Sequence, residues 1–321
     1  IDQNGNDQSN ILTLKTLKAS ELIDVPDPNL FLRWHKNMND NVKKYAIKML
    51  LEGQSMPLLV GDEQTTKGLI SYGVNKKDAH NYVVIGCNEL GIPGKMVYQS
   101  SNVLAVKELV KTLNNNEDIN SIDHLIDLTA ETMKAELKGG IKRSQNWTRK
   151  QYTHYPTPFS SALMDGCIEK GKDFAESTTC QFLNINSNSF SNFVNSLAAI
   201  KWCVFDNNIF TIDKLKQALA ANYEGHDTMR SQIAKAPKWG NDNEYADELA
   251  LQWLQKKRAV LLEVEQELQS PTLIEEMVVR SLHHVYGKSI QATPDGRLDG
   301  EPLADSVGPQ QGYTLEGPTG V

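Results

Sequence analysis

The sequence predicts an α/β fold with mostly helical outer layers, and three observations carry that prediction. Helical periodicity dominates the chain. Short apolar runs suited to buried strands alternate with the helical stretches in the first half, whereas elsewhere strand patterns are few and scattered. No internal repeat is evident. With 321 residues, 40% of them hydrophobic and 23% charged, the chain can bury a sizeable core.

The elements follow in order. Asp40 can cap a helix running to about Glu52, with Val42, Tyr45, Ala46, Met49 and Leu50 on one face and Gly53 closing it. Pro57-Leu58-Leu59-Val60 suits a buried strand, and Glu63 to Tyr72 reads as a helix ended by Gly73. Asn75 starts another short turn. Tyr82-Val83-Val84-Ile85 is apolar on both faces, as expected of a strand covered on two sides, and it runs into Gly86-Cys87-Asn88-Glu89-Leu90-Gly91-Ile92-Pro93-Gly94. Further helices are predicted at about 103–113, 121–137, 160–170, 192–205, 211–222, 242–268 and 272–284. From Gln291 the texture changes to Thr293-Pro294-Asp295-Gly296-Arg297 and a Gly/Pro-rich tail without periodicity, which reads as loop.

Composition narrows the function classes. A formal charge of -7 leaves no basic excess to exchange for counterions, so nucleic acid and anionic membranes are not expected partners. No apolar run approaches the length of a bilayer crossing, and Ile1 to Asn10 lacks the basic and apolar regions of a signal peptide. Cys87, Cys167, Cys180 and Cys203 are far apart and make no metal-binding or disulfide pattern, so no metal is expected and a reducing cytoplasm fits best. The first residue is not Met and the chain stops in a Gly/Pro-containing stretch, so both ends read as cut.

Gly86-Cys87-Asn88-Glu89 is the motif with chemistry in it. A thiol at the end of a buried strand has a carboxylate two positions on, and in extended chain such positions share a side, roughly 6.5 to 7 Å apart. A small substrate fits between them. Gly86, Gly91 and Gly94 let the backbone turn and approach a ligand, while Pro93 stiffens the exit. Residue type alone leaves a second reading open, because lone cysteines are often buried and only pack.

The stretch Asp78-Ala79-His80-Asn81-Tyr82-Val83-Val84-Ile85-Gly86-Cys87-Asn88-Glu89 resembles the approach to the Gly-Cys-x-Glu loop of glycyl radical enzymes related to pyruvate formate-lyase, especially their dehydratase, lyase and decarboxylase branches. Other segments resemble the family in the same order: Gly53 to Pro57 with Asp62-Glu63, Pro158 to Asp173, Asn195 to Lys201, Ala221 to Gly225, Lys235 to Asp242 and Ala292 to Arg297. Together they cover nearly the whole chain.

The resemblance implies a ten-stranded α/β barrel of two antiparallel half-barrels, with the cysteine loop in its centre. Residues 1–290 would supply the C-terminal half of that barrel, with the cysteine loop at 86–94, and 291–321 a connection toward the radical-bearing domain. It implies that Cys87 carries a thiyl radical and that Glu89 is the general base of the eliminating members. Glu176 falls where arylacetate-decarboxylating members place a second carboxylate, and His124 and His80 are further candidates for substrate contact. Pyruvate-cleaving members have two adjacent cysteines here, and Gly86 stands in place of one, which argues against that reaction.

The resemblance also implies partners: a small-molecule substrate, a radical S-adenosylmethionine activase and, for the full-length protein, a second copy in a homodimer. No cofactor is expected in this chain. The family's Arg-Val-x-Gly-Tyr radical segment would follow the Thr-Pro-Asp-Gly-Arg turn, and it is not among these residues, so the isolated chain is expected to be inactive. Two alternatives are an arylacetate-type decarboxylase and a non-catalytic remnant acting as a binding or structural module.

Overall fold

The computed structural model describes residues 10–22, 29–54, 56–86, 88–96, 98–177, 182–277, 282–317 and 320. They form two compact units, Ile1–Val97 with Pro158–Cys180, and Tyr98–Thr157 with Gln181–Val321.

In the first unit, α1 (Asn10–Glu21) packs on α2 (Asp40–Leu51), burying Leu17 with Val42, Ala46 and Met49. The cap of α2 is Asn39 rather than Asp40: its side chain accepts a hydrogen bond from the Asn41 amide at 2.9 Å. Asp40 instead lies in the first turn, where a negative charge favours the helix N-terminus. β1 (Phe31–Trp34) and β2 (Leu58–Gly61) pair in parallel, with Phe31 opposite Leu58. α3 (Asp62–Ser71) and α4 (Lys76–His80) follow, and then β3 (Val83–Ile85) and β4 (Glu89–Gly91).

The second unit begins at β5 (Ser100–Leu104), which takes the first two residues of a stretch whose periodicity predicts helix; α5 spans Ala105–Asn115. α6 (Ile122–His154) is far longer than the predicted 121–137. Gly139 and Gly140 do not end it, and Gly140 lies against β5: a Cβ at Gly140 would come 2.4 Å from Ser101 Oγ. The glycine permits contact and the helix continues.

The chain then re-enters the first unit. The single helix predicted over 160–170 is two short ones, α7 (Pro158–Ala162) and α8 (Cys167–Lys170), because Gly166 between them adopts φ +84°. α9 spans Phe174–Ser177.

Back in the second unit, β6 (Phe182–Asn188) is the centre of a parallel sheet in the order β5-β6-β7. α10 (Phe190–Ile200) is buried along its length and runs into a π-helical turn, Lys201–Asp206. α11 (Ile212–Ala220), α12 (Asp227–Ala234) and α13 (Glu244–Leu268) cover the core, in which Phe193 meets Trp253 at 4.3 Å between ring centroids. The helix predicted at 272–284 is a correction: β7 (Thr272–Glu276) pairs in parallel with β6, and α14 spans only His283–Gly287. Strand pairing and burial of Leu273 and Ile274 override the helical spacing. The Thr-Pro-Asp-Gly-Arg turn is a hub in which Arg297 donates to the carbonyls of Ile290, Gln291 and Glu301 at 2.6 to 2.8 Å, and Asp295 accepts from Asn192 of α10. No described helix is long and apolar enough to cross a membrane.

Candidate active site

The loop singled out by the sequence is an antiparallel hairpin. Val83 pairs with Gly91, Val84 with Leu90 and Ile85 with Glu89, so the chain reverses across 86–88. Cys87 itself lies outside the described residues, as does Cys180. Glu89 opens the return strand. The extended-chain spacing read from the sequence is thus replaced by a turn, and the cause is Gly86, which adopts φ +58°.

Gly86 has a second role. A Cβ on it would stand 2.8 Å from Glu89 Oε2, so the missing side chain is what lets the carboxylate fold back over the turn. There Oε2 accepts the Asn88 amide at 3.1 Å, and Glu89 is only 6% exposed. The hairpin is also tight at its base: a Cβ on Gly91 would fall 2.4 Å from Ile85 Cδ1. Gly94 turns the exit after Pro93 with φ +72°, and its carbonyl accepts the Asp165 amide at 2.7 Å.

Side chains that the sequence reading did not select hold this hairpin. Arg33 on β1 pairs with Asp62 at 2.6 Å, donates to the His80 carbonyl at 3.0 Å and lies over the Tyr82 ring, 4.0 Å from its centroid. Asn29 donates to the Gly86 carbonyl at 2.8 Å. Lys95, beyond β4, reaches back to both oxygens of Asp78 on α4, at 2.9 and 3.0 Å. That hydrogen bond, followed by one from Asn75, holds the Asp78 carboxyl below its ordinary range. Burial pushes the Tyr82 phenol up to about 12. The only sequence signal for this scaffold was charge at isolated positions. Nothing in spacing links Arg33 to Tyr82.

Other expectations fare differently. β3 is not covered on two sides: Val83 and Ile85 are 42% and 39% exposed, because β4 is its only strand partner among the described residues. Glu176 is exposed in α9 and pairs with Lys172 at 3.1 Å across one helical turn. His124 belongs to the second unit, in the first turn of α6, where its amide is capped by Ser121 Oγ at 3.0 Å. His80 ends α4, and its carbonyl, not its ring, makes the contact with Arg33. Among the described residues, no group of three or more His, Cys, Asp or Glu is placed to hold a metal ion.

A tight β-hairpin with a buried carboxylate folded over its turn is the geometry found at the candidate site, and comparison with known proteins gives the class. The family described as pyruvate formate lyase-like matches residues 1–261. Isethionate sulfite-lyase of Desulfovibrio desulfuricans is 26% identical over 99% of this chain and 41% of its own length, and trans-4-hydroxy-L-proline dehydratase of Clostridioides difficile is 26% identical over 100% and 43%. Among solved structures, the glycerol-bound B12-independent glycerol dehydratase of Clostridium butyricum superposes with a TM-score of 0.90 at 26% identity, covering 99% of this chain and 42% of that one. A Roseburia inulinivorans structure described for 1,2-propanediol dehydration gives 0.91, also at 26% identity, covering 99% and 43%. The chain belongs to the pyruvate formate lyase-like family of glycyl radical enzymes, and its fold is part of their α/β barrel. It spans about two-fifths of the length of the curated relatives it matches.

Proposed function

We propose that the chain carries the thiyl and base residues of a glycyl radical lyase that cleaves a C–X bond in a small polar substrate, with Cys87 as hydrogen abstractor and Glu89 as general base. The observation that carries the reading is the Glu89 carboxylate, buried and folded back over the hairpin turn, where Gly86 has no side chain to displace it. Relatives whose names describe a sulfite-lyase and several dehydratases support the reaction class.

The glycyl radical, held on a segment outside these 321 residues and installed by a radical S-adenosylmethionine activase, supplies the unpaired electron. The Cys87 thiol gives its hydrogen to that radical, and the resulting Cys87 thiyl removes a hydrogen atom from substrate carbon. Glu89 takes the proton of the neighbouring hydroxyl and passes it to the departing group, and the re-formed Cys87 thiol returns its hydrogen to the product radical. The buried carboxylate suits that step because water is excluded from the proton it handles. In the same reading, the hairpin is the central finger of a ten-stranded barrel, 1–290 is half of that barrel, 291–321 leads toward the radical domain, and the full-length protein is a homodimer in the cytoplasm.

The test is turnover by the full-length protein with its activase, without oxygen, on glycerol, isethionate and a hydroxyarylacetate. Elimination from one of the first two, abolished by Cys87→Ser and reduced at least about a hundredfold by Glu89→Gln, is the expected result. Turnover of the arylacetate alone would replace this reading with the decarboxylase. Full activity of Cys87→Ser would refute it.

A further inference from the structure

β1 and β3 belong to different sheets, yet side chains of the first bind the backbone of the second at both of its ends. β3 leads to Gly86 and Cys87. Among the described residues it pairs only with β4, over three residues, and Val83 and Ile85 are exposed. A two-stranded hairpin is at best marginally stable by itself in water. Hydrogen transfer is intolerant of such looseness, since a misplacement of about 1 Å costs on the order of a hundredfold in rate. The hairpin therefore needs an anchor outside itself.

The anchor at the start of β3 is Arg33. Nη2 donates to the His80 carbonyl at 3.0 Å, Nη1 to the Tyr82 carbonyl at 3.4 Å, and the guanidinium lies over the Tyr82 ring. Arg33 is itself fixed, because Nε and Nη2 both meet Asp62 Oδ1, at 2.7 and 2.6 Å, and Asp62 is buried in the first turn of α3. Only a planar fork reaches a carboxylate and two carbonyls at once. The anchor at the far end is Asn29, two residues before β1, which donates from Nδ2 to the Gly86 carbonyl at 2.8 Å. That carbonyl belongs to the peptide bond joining Gly86 to Cys87. Asn29 and Arg33 are four residues apart, as are Gly86 and Tyr82, and four residues of extended chain span about 13 Å. The two lengths match in opposite directions, so a slip of β3 by one residue would break both contacts.

We propose that Asn29 and Arg33 are positioning residues for hydrogen transfer, a bracket that fixes β3 along β1 and so presents Cys87 in one place. The inference rests on the reading of Cys87 as the hydrogen abstractor. Both residues act through backbone carbonyls of the hairpin, so they govern the transfer step and leave substrate affinity alone. Arg33 sets where β3 begins, and Asn29 sets the plane of the peptide that enters Cys87.

The full-length protein tests this with Asn29→Ala, Asn29→Asp and Arg33→Lys. Asn29→Asp keeps the side-chain shape and removes the donor, and Arg33→Lys keeps the charge beside Asp62 and removes the fork. Hydrogen exchange across 82–91 should be at least about fivefold faster in all three, as loss of one neutral hydrogen bond requires, with α2 unchanged as the internal reference. With activase and a substrate that wild type turns over, kcat should fall at least about fivefold in the Asn29 variants and about thirtyfold in Arg33→Lys, with KM within about twofold of wild type. The isotope effect on kcat for substrate deuterated at the abstracted position should be at least as large as in wild type, because hydrogen transfer has become slower. Unchanged exchange across 82–91, unchanged kcat, a loss expressed in KM, or a smaller isotope effect would each overturn the proposal. If Arg33→Lys does not fold, the Asn29 variants, at an exposed position, carry the test. Absence of wild-type turnover on every substrate would refute the assigned reaction and this catalytic role with it, while exchange across 82–91 separately decides whether the bracket holds the hairpin.

Discussion

Replacing Gly86 by Ala probes the link between the hairpin turn and the Glu89 carboxylate. Two costs are separable. An L-residue at φ +58° costs about 1 kcal/mol for the left-handed backbone alone. The new Cβ would also stand 2.8 Å from Glu89 Oε2, so the carboxylate must move and give up its 3.1 Å bond to the Asn88 amide, worth about 1.5 kcal/mol as a charge-assisted bond. The sum, about 2.5 kcal/mol, corresponds to roughly 70-fold faster hydrogen exchange at Leu90 and its ladder partners, if exchange reports local opening of the hairpin. Gly73→Ala is the control, since Gly73 has φ +90° with nothing within 4 Å of the added Cβ; it should show only the backbone cost, about fivefold at its own helix end. In a Glu89→Ala background the effect of Gly86→Ala should fall to the same backbone cost, giving a coupling of about 1.5 kcal/mol. Equal effects of Gly86→Ala with and without the carboxylate would show that Gly86 serves the turn alone, and the steric argument would fail.

Other consequences are testable in the same way. Burial lowers the Lys238 ammonium to about 8, below its unfolded value of 10.5; between those pH values the unfolded chain binds more protons, so stability should rise with pH by up to about 3 kcal/mol. The clean window is pH 8 to 9, because above it the Cys203 thiol, pushed up by burial, and tyrosines such as Tyr82 stay protonated in the fold and oppose the slope; urea titrations should show the rise in wild type and not in Lys238→Met. Gly140→Ala should destabilise by about 1 to 3 kcal/mol through its clash with Ser101 Oγ, yet become stabilising by about 1 kcal/mol in a Ser101→Ala background, where only helix propensity remains. Arg297→Lys keeps the charge but loses the fork that reaches three carbonyls, and should cost about 3 kcal/mol or more and open 287–301 to limited proteolysis.

The parts of the fold legible in the sequence are those where local pattern and tertiary role agree. α2, α3 and α13 pair helical spacing with caps or closing glycines, and their observed bounds follow the predicted ones within two residues. The reading fails where tertiary contact decides. β6 has the composition of a loop, Asn-Ile-Asn-Ser-Asn, and is a strand because it lies between β5 and β7. β7 has apolar spacing that a helix could use, and pairing with β6 claims it. At the candidate site, the motif residues were visible because glycines, a thiol and a carboxylate are unusual together. Their supports were not, because Arg33 and Lys95 act across long stretches of chain, and no local pattern records which carbonyl or carboxylate a distant cation will meet.

α6 shows a further consequence of where burial stops. Its fully buried residues run from Ile122 to Ile141, and from Lys142 to His154 there are none. The helix nonetheless continues through that stretch, about 20 Å of it at the usual rise per residue. A segment of that length held without a buried face lies near the limit at which an isolated helix forms in water, so its order depends on side-chain entropy, ionic strength and temperature. One continuous helix therefore obeys two regimes: up to Ile141 it should melt with the core in one cooperative step, and past it the chain should fray by gradual helix–coil exchange.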